Sequence, residues 1–209
     1  MDEISPTVFI VDDEARVRKG LSRLLRAEGI CVEEFASAEL FLSRNKYEGV
    51  GCLVLDYQMM GLTGLDLQRR LEEAGDPIPI IFLSGHGDIA TSVTAMKEGA
   101  VDFLTKPVDA EDLLKTVRQA FKRHEEALAR RGDVETARRH CETLTPRELD
   151  VMRCVITGAL NKQIAQSLGI TLKTVKVHRG RVMQTMGVES VADLVRICEA
   201  AGIEPLNTD

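Results

Sequence analysis

Val8-Phe9-Ile10-Val11-Asp12-Asp13 decides how the N-terminal half is read, because an apolar run of strand length stops there on two adjacent carboxylates. The pattern returns twice: Cys52-Leu53-Val54-Leu55 stops on Asp56, and Val101-Asp102-Phe103-Leu104-Thr105 stops on Lys106. Short apolar runs that alternate with helical patterns read as parallel strands, and side chains at the carboxyl ends of such strands converge on one crevice. Three carboxylates and one ammonium would then share a small site. Crowded carboxylates repel, so the cluster implies a hard divalent cation among them, and an oxygen donor set points to Mg²⁺. An acceptor carboxylate, a metal ion and a lysine are what phosphoryl transfer requires, since its catalysis is mostly positioning and neutralisation of phosphate oxygens. Asp12 or Asp13 in isolation would read as a cap for the helix that follows; Asp56 and Lys106 at further strand ends change that balance.

Around these runs the first 124 residues alternate strand and helix signals. The strands are predicted over 7–11, 31–35, 51–55, 79–84 and 101–105, with helices near 14–28, 37–46, 64–74, 88–98 and 109–124. Gly29 and Gly99 stand where left-handed C-caps are wanted, and Asp88 and Asp109 stand as N-caps. The pattern is that of a doubly wound α/β domain with a parallel five-stranded sheet, over residues 1–124.

From 109 to 141 the chain is polar and helix-favouring. Val117, Phe121, His124 and Leu128 form one stripe and Val134, Ala137, Cys141 and Leu144 a second, which predicts one long helix, or two interrupted near Gly132, with 125–141 acting as a helical linker. Thr145-Pro146-Arg147-Glu148 then combines a capping box with proline at the first helical position. It opens an all-α domain over 142–209, with helices near 146–158, 161–168, 172–186 and 190–201. Gly169-Ile170-Thr171 between the second and third has the spacing of a helix-turn-helix. At about 100° per residue, Leu172, Val175, Val182 and Met186 fall on one side of the third helix, and Lys173, Lys176, Val177, Gly180, Arg181 and Gln184 on the other. One side packs and the other is free to dock. Gly180 permits close approach of a surface, and Thr171 as N-cap leaves backbone N–H groups available to a phosphate.

The net charge of −6 hides an asymmetry, for 1–124 carries 21 Asp and Glu against 15 Lys and Arg while 125–209 carries 12 of each. Between Asn161 and Val188 there is no acid, yet Lys162, Lys173, Lys176, Arg179 and Arg181 are present, so an anionic partner is expected for that patch alone. The apolar stretches are far shorter than the roughly 20 residues that span a bilayer, and no signal-peptide layout opens the chain, which predicts a cytoplasmic protein with no membrane partner. Cysteines 31, 52, 141, 154 and 198 form no C-x-x-C pair and read as small core residues in a reducing compartment.

Asp12, Asp13, Asp56, Ser84, Phe103 and Lys106-Pro107 together resemble the receiver domain of two-component response regulators, a flavodoxin-like fold. Thr145-Pro-Arg-Glu, Asn161-Lys-Gln-Ile-Ala and Thr174-Val-Lys-Val-His-Arg resemble the LuxR/NarL-type helix-turn-helix, and with Ser84-Gly-His-Gly-Asp88 and Ala100-Val-Asp-Phe-Leu104 the whole is most similar to the FixJ-type subfamily. The resemblance runs from Thr7 to about Cys198. It implies Asp56 as phosphoacceptor, Asp13 and Asp56 holding Mg²⁺ with the Gln58 carbonyl, and Asp12 acting through metal-bound water. Lys106 would pair with the phosphoryl group, Ser84 would hydrogen-bond one of its oxygens, Phe103 would be the aromatic that follows the serine's movement, and the Lys106-Pro107 bond would be cis. Thr171, Lys173, Thr174, Lys176, Val177 and Arg181 would meet DNA, with His178 and Arg179 at the margin. Implied partners are a sensor histidine kinase, promoter DNA, RNA polymerase and, once phosphorylated, a second copy of the chain. One departure is visible: the pattern usually has proline four residues after the phosphoacceptor, where Met60 stands.

Other classes fit less well. No G-x-G-x-x-G follows the first strand, which argues against a dinucleotide-dependent enzyme, and Gln58 occupies the place where a haloacid-dehalogenase type of hydrolase has a second aspartate. The chain is expected not to be an enzyme beyond its own phosphotransfer and dephosphorylation. A docking module with an RNA- or protein-binding helix is the remaining rival. His86 is read as a loop residue rather than a ligand.

Overall fold

The computed structural model describes residues 5–85 and 99–206. Contacts divide the chain into two units, between Leu128 and Ala129. The helix expected over 88–98, with its cap Asp88 and the loop residue His86, lies outside the described residues.

In the first unit the strands are β1 (Thr7–Val11), β2 (Cys31–Phe35), β3 (Gly51–Asp56), β4 (Ile80–Ser84) and β5 (Asp102–Thr105), all parallel, in the order β2-β1-β3-β4-β5. The helices α1 (Ala15–Ala27), α2 (Ala38–Leu42) and α3 (Gly64–Glu73) lie between them, and α4 (Ala110–Thr143) follows β5. Because successive strand residues point to opposite faces, each central strand feeds two cores. Phe9, Val11, Leu53, Leu55, Ile80 and Phe82 pack with Phe41 of α2 and Leu67 of α3. Val8, Ile10, Cys52, Val54, Ile81 and Leu83 pack with Leu25 of α1 and Leu113 and Val117 of α4. Polar side chains have little room inside such strands, which drives them to the strand ends.

Two local expectations change. Helix α2 ends at Leu42 rather than near 46: the Arg44 N–H donates three residues back to the Phe41 carbonyl, while the Leu40 carbonyl that a further α-turn would use accepts the Ser43 hydroxyl instead. Cys31 is exposed, since it opens β2, a strand with a neighbour on one side only.

Helix α4 passes through Gly132 without a break, so the single-helix alternative holds. Its first stripe serves the first unit: Val117 and Phe121 join the sheet's core, and His124 Nδ1 accepts a hydrogen bond from the Gly51 N–H at 2.8 Å, where β3 begins. Its second stripe serves the second unit, where Val134, Ala137, Cys141 and Leu144 pack with Val151, Ile164, Val182 and Leu194. That unit continues as α5 (Pro146–Ile156), α6 (Asn161–Leu168), α7 (Leu172–Met186) and α8 (Val191–Ala200). Thr145 and Glu148 form the expected capping box. The α6–α7 turn passes through Gly169 at φ 63°, a left-handed conformation that side chains resist. Val175, Val182 and Met186 of α7 are buried as expected, but Leu172 is 46% exposed. It occupies the first helical position, where a side chain leans back over the preceding turn instead of onto the core.

Gly64 opens α3 directly behind the end of β3. A Cβ there would stand 2.8 Å from the Asp56 carbonyl oxygen and 2.8 Å from the Phe82 ring, and neither can retreat. Gly64→Ala is therefore expected to cost about 1–3 kcal/mol as overpacking. Both tyrosines, Tyr47 and Tyr57, belong to this unit and the chain has no tryptophan, so urea unfolding followed by intrinsic tyrosine fluorescence reads the loss there.

Candidate functional site

Parallel register brings the strand ends together. Val11 pairs with Leu55, so the next residues, Asp12 and Asp56, stand side by side; Asp56 pairs with Leu83, and Ser84 with Thr105, one residue before Lys106. Asp12 and Asp56 are buried, at 1% and 4% exposure, and Asp13 is exposed. Carboxylate oxygens of the three aspartates lie within 4.8 Å of one another. Lys106 Nζ reaches across, 2.7 Å from Asp12 Oδ2 and 3.0 Å from Asp56 Oδ2. The Lys106-Pro107 bond is cis, and the Lys106 N–H donates to the Ser84 carbonyl at 2.7 Å.

The capping reading of Asp12 does not hold, because α1 takes Glu14 as its N-cap with no side-chain cap bond. Asp12 Oδ1 accepts from the N–H of that cap residue at 2.7 Å, while its Oδ2 meets Lys106. Burial pushes the Asp56 carboxyl above the ordinary carboxylate value, and the Asp12 charge adds to this, although the Lys106 hydrogen bond opposes it. Burial would lower the Lys106 ammonium, but its hydrogen bonds to Asp12 and Asp56 leave it raised, hence firmly charged. Ser84 is buried at the end of β4. Phe103 is half-buried, its ring 6.0 Å from Tyr57 and 6.3 Å from Phe82. Tyr57 thus links the residue after Asp56 to Phe103, a contact no spacing in the sequence indicates. Gln58 donates its N–H to Asp56 Oδ1 at 3.3 Å.

On α7, Lys173, Lys176, Val177, Gly180 and Arg181 are exposed along the expected side, and a Cβ on Gly180 would meet nothing within 4 Å. Thr171 caps the helix, accepting from the Thr174 N–H at 3.1 Å, with the two hydroxyls 2.8 Å apart. The marginal residues turn inward: Arg179 donates to the Asn161 side chain at 2.6 Å, and His178 faces Glu148 at 3.9 Å. Glu148 also lies 3.6 Å from Arg181. Sequence reading assigned Glu148 to the capping box alone; the α5 register that caps the helix also aims it at α7.

Residues 8–118 match the response regulator receiver domain family, and residues 142–198 match the luxR family of bacterial regulatory proteins. Response regulator protein TodT of Pseudomonas putida is 45% identical over 199 residues, 95% of this chain and 88% of that protein. Among solved structures, the response regulator StyR superposes with a TM-score of 0.76 at 44% identity, covering 94% of this chain and 99% of that one. Full-length FixJ from B. japonicum superposes at 0.55 and 36% identity, covering 96% and 98%. The chain belongs to the NarL/FixJ family of response regulators. It is a two-component transcription regulator with a receiver and a LuxR-type DNA-binding domain. No described helix is long and apolar enough to cross a membrane. Where the receiver pattern usually carries proline, this regulator has Met60, whose side chain is 85% exposed and whose N–H donates to Asp13 Oδ2 at 3.1 Å.

The crowded receiver carboxylates give a pH-dependent prediction. A carboxyl whose folded value lies above its unfolded one binds protons more readily when folded, so it weakens the fold once pH rises past that window and ceases to do so below its ordinary 3.8. Asp56→Asn should therefore raise the melting temperature in chelator at pH 7. The gain should shrink as pH falls towards 3.8; an unchanged or lower melting temperature at pH 7 would show that the Lys106 pair outweighs burial.

Proposed function

We propose that this response regulator is switched by phosphorylation of Asp56, with a sensor histidine kinase as donor and promoter DNA as the output ligand. The observation that carries the reading is the crevice: three carboxylates within 4.8 Å of one another, with Lys106 Nζ 3.0 Å from Asp56 Oδ2. Asp56 is the acceptor because it ends the central strand β3, between β1, which delivers both Asp12 and Asp13, and the β5 side, which delivers Lys106. Its carboxylate oxygen attacks the phosphorus of a phosphohistidine; the O–P bond forms as the N–P bond breaks, and the imidazole leaves. Lys106 faces the transferred group, Ser84 donates its hydroxyl to a phosphoryl oxygen, and Phe103 with Tyr57 responds to the serine's shift. The chemistry is confined to the regulator's own phosphotransfer and dephosphorylation.

The donor set suits Mg²⁺. Oxygens bound to one such ion at about 2.1 Å stand at most about 4.2 Å apart, close to the 4.8 Å within which carboxylate oxygens of the three aspartates lie. Asp13, Asp56 and the Gln58 carbonyl would hold the ion, and Asp12 would act through a bound water. When bound, it supplies charge neutralisation for the phosphate oxygens.

On the output side, Thr171, Lys173, Thr174, Lys176, Val177 and Arg181 form the DNA-facing surface, with the α7 N-terminus towards a phosphate and the lysines and arginine in the major groove. We assign 1–124 to the receiver, 125–141 to the linker and 142–209 to DNA binding, in the cytoplasm with RNA polymerase as the machinery acted upon. Phosphorylated receivers pair two-fold, through a surface that includes β5 and α4; the segment 88–98, expected to share in it, lies outside the described residues. Two recognition helices then address two half-sites, and affinity rises through effective concentration.

Incubation with acetyl phosphate and Mg²⁺ should give an acyl phosphate, labile to hydroxylamine, that Asp56→Asn does not form. Sedimentation should move from monomer to dimer as operator binding rises. Wild-type labelling of Asp56→Asn would overturn the acceptor assignment, and a monomer that binds DNA tightly when phosphorylated would overturn the dimer.

Single alanine substitutions at Lys173, Lys176 and Arg181 should separate base readers from phosphate contacts. A base reader should cost about 1–3 kcal/mol and relax specificity, whereas a phosphate contact should weaken all sequences alike and lower the salt slope by about one. Unchanged affinity of the triple variant in a gel-shift titration would remove α7 from the interface.

A further inference from the structure

The loop between β3 and α3 turns a succession of main-chain N–H groups towards acceptors. Tyr57 donates to the Leu83 carbonyl at 2.8 Å, Gln58 to Asp56 Oδ1 at 3.3 Å, Met60 to Asp13 Oδ2 at 3.1 Å and Leu62 to Glu39 Oε1 at 3.4 Å. The Met60 bond is the one that spans the crevice, joining residues 47 apart in sequence. Its acceptor is the exposed member of the carboxylate cluster, since Asp12 and Asp56 are held by burial and by Lys106. An exposed aspartate otherwise rotates freely, and a cation that recruits it must first order it. The Met60 side chain, 85% exposed, has no share in this; the main-chain N–H does the holding.

We propose that the Met60 main-chain N–H is a positioning group for Mg²⁺ binding, fixing the Asp13 carboxylate by Oδ2 so that Oδ1 is presented to the cation. The inference rests on the reading of the crevice as a Mg²⁺ site. A carboxylate offers about four lone-pair sites over its two oxygens, so one N–H donor orients the group without exhausting it. The same bond ties the loop after Asp56 to Asp13, so cation binding stiffens that loop. Any residue with an N–H at position 60 suffices, and proline alone among the ordinary residues does not.

The experiment is Mg²⁺ titration by calorimetry on the full-length chain, for wild type, Met60→Ala, Met60→Pro and a variant in which the 59–60 peptide is replaced by an ester through incorporation of the α-hydroxy analogue of methionine. The ester removes the N–H without a ring, so the test survives if Met60→Pro fails to fold. Met60→Ala should bind Mg²⁺ within about twofold of wild type, while the proline and ester variants should bind about 3- to 10-fold more weakly, the scale of one charge-assisted hydrogen bond at an exposed site. Melting temperatures in chelator should stay close to wild type for alanine and ester, because the group acts on the cation and not on the core. Wild-type affinity in the ester variant overturns the inference, as does a loss in Met60→Ala equal to that in the ester. Wild-type protein that binds no Mg²⁺ overturns the cation reading of the crevice, and this inference with it.

Discussion

Everything in the first unit is arranged around a repulsion. Two buried aspartates side by side at the ends of β1 and β3, with a third carboxylate close by, would push the strand ends apart were Lys106 not inserted between Asp12 and Asp56. A parallel sheet concentrates the conflict, because every strand delivers its last residue to the same edge. It also supplies the remedy, since β5 delivers the lysine there too. Asp12 is the most constrained member: one oxygen accepts the Glu14 N–H in the turn before α1, and the other meets the ammonium. One buried side chain thus shapes the turn after β1 and shares in the charge balance of the crevice.

How much of this was legible in the sequence depends on the range of the interaction that decides each feature. The strands were legible because Val8–Val11, Leu53–Leu55 and Ile80–Leu83 are buried on both faces and carry no alternation to misread. Crevice residues were legible as the first polar positions after those runs. The end of α2 was not, because it is decided by the Ser43 hydroxyl and by Arg44, whose guanidinium stacks 3.7 Å over the Phe41 ring and pairs with Asp76. Nor was the loop from Asp56 to Met60. Its bonds run to Asp13 and Leu83, and no periodicity encodes them.

Helix α7 shows the same division. Its basic face followed from the absence of acids between Asn161 and Val188, yet the charge it presents is modified by an acid outside that window. Glu148, held well below the ordinary carboxylate value by hydrogen bonds from Thr145, stays ionised beside Arg181. Arg181 is mostly exposed, so a phosphate or a guanine can compete for it, while Arg179 is held inward by Asn161. If Arg181 meets DNA as proposed, the contact would be an exchange of partners, which would lower its contribution to affinity relative to Lys173 or Lys176 and make it more demanding of geometry.

The proposed phosphorylation at the crevice would add about −1.5 to −2 charges, and any effect elsewhere would have to come through elements with two accessible arrangements. Strand β3 is a poor candidate. Its six residues are all buried, and it is held at one end by Asp56 in the crevice and at the other by the Gly51 bond to His124 of α4. Such a strand fixes the spacing between Asp56 and His124, midway along α4. The groups with latitude are those beyond the strand ends: the exposed Met60 loop, and Phe103, half-buried against Tyr57 and Phe82. A half-buried ring has room to change rotamer that the fully buried side chains of β3 lack. Under the proposed switch, a perturbation that β3 cannot absorb would be taken up there, on the β5 side.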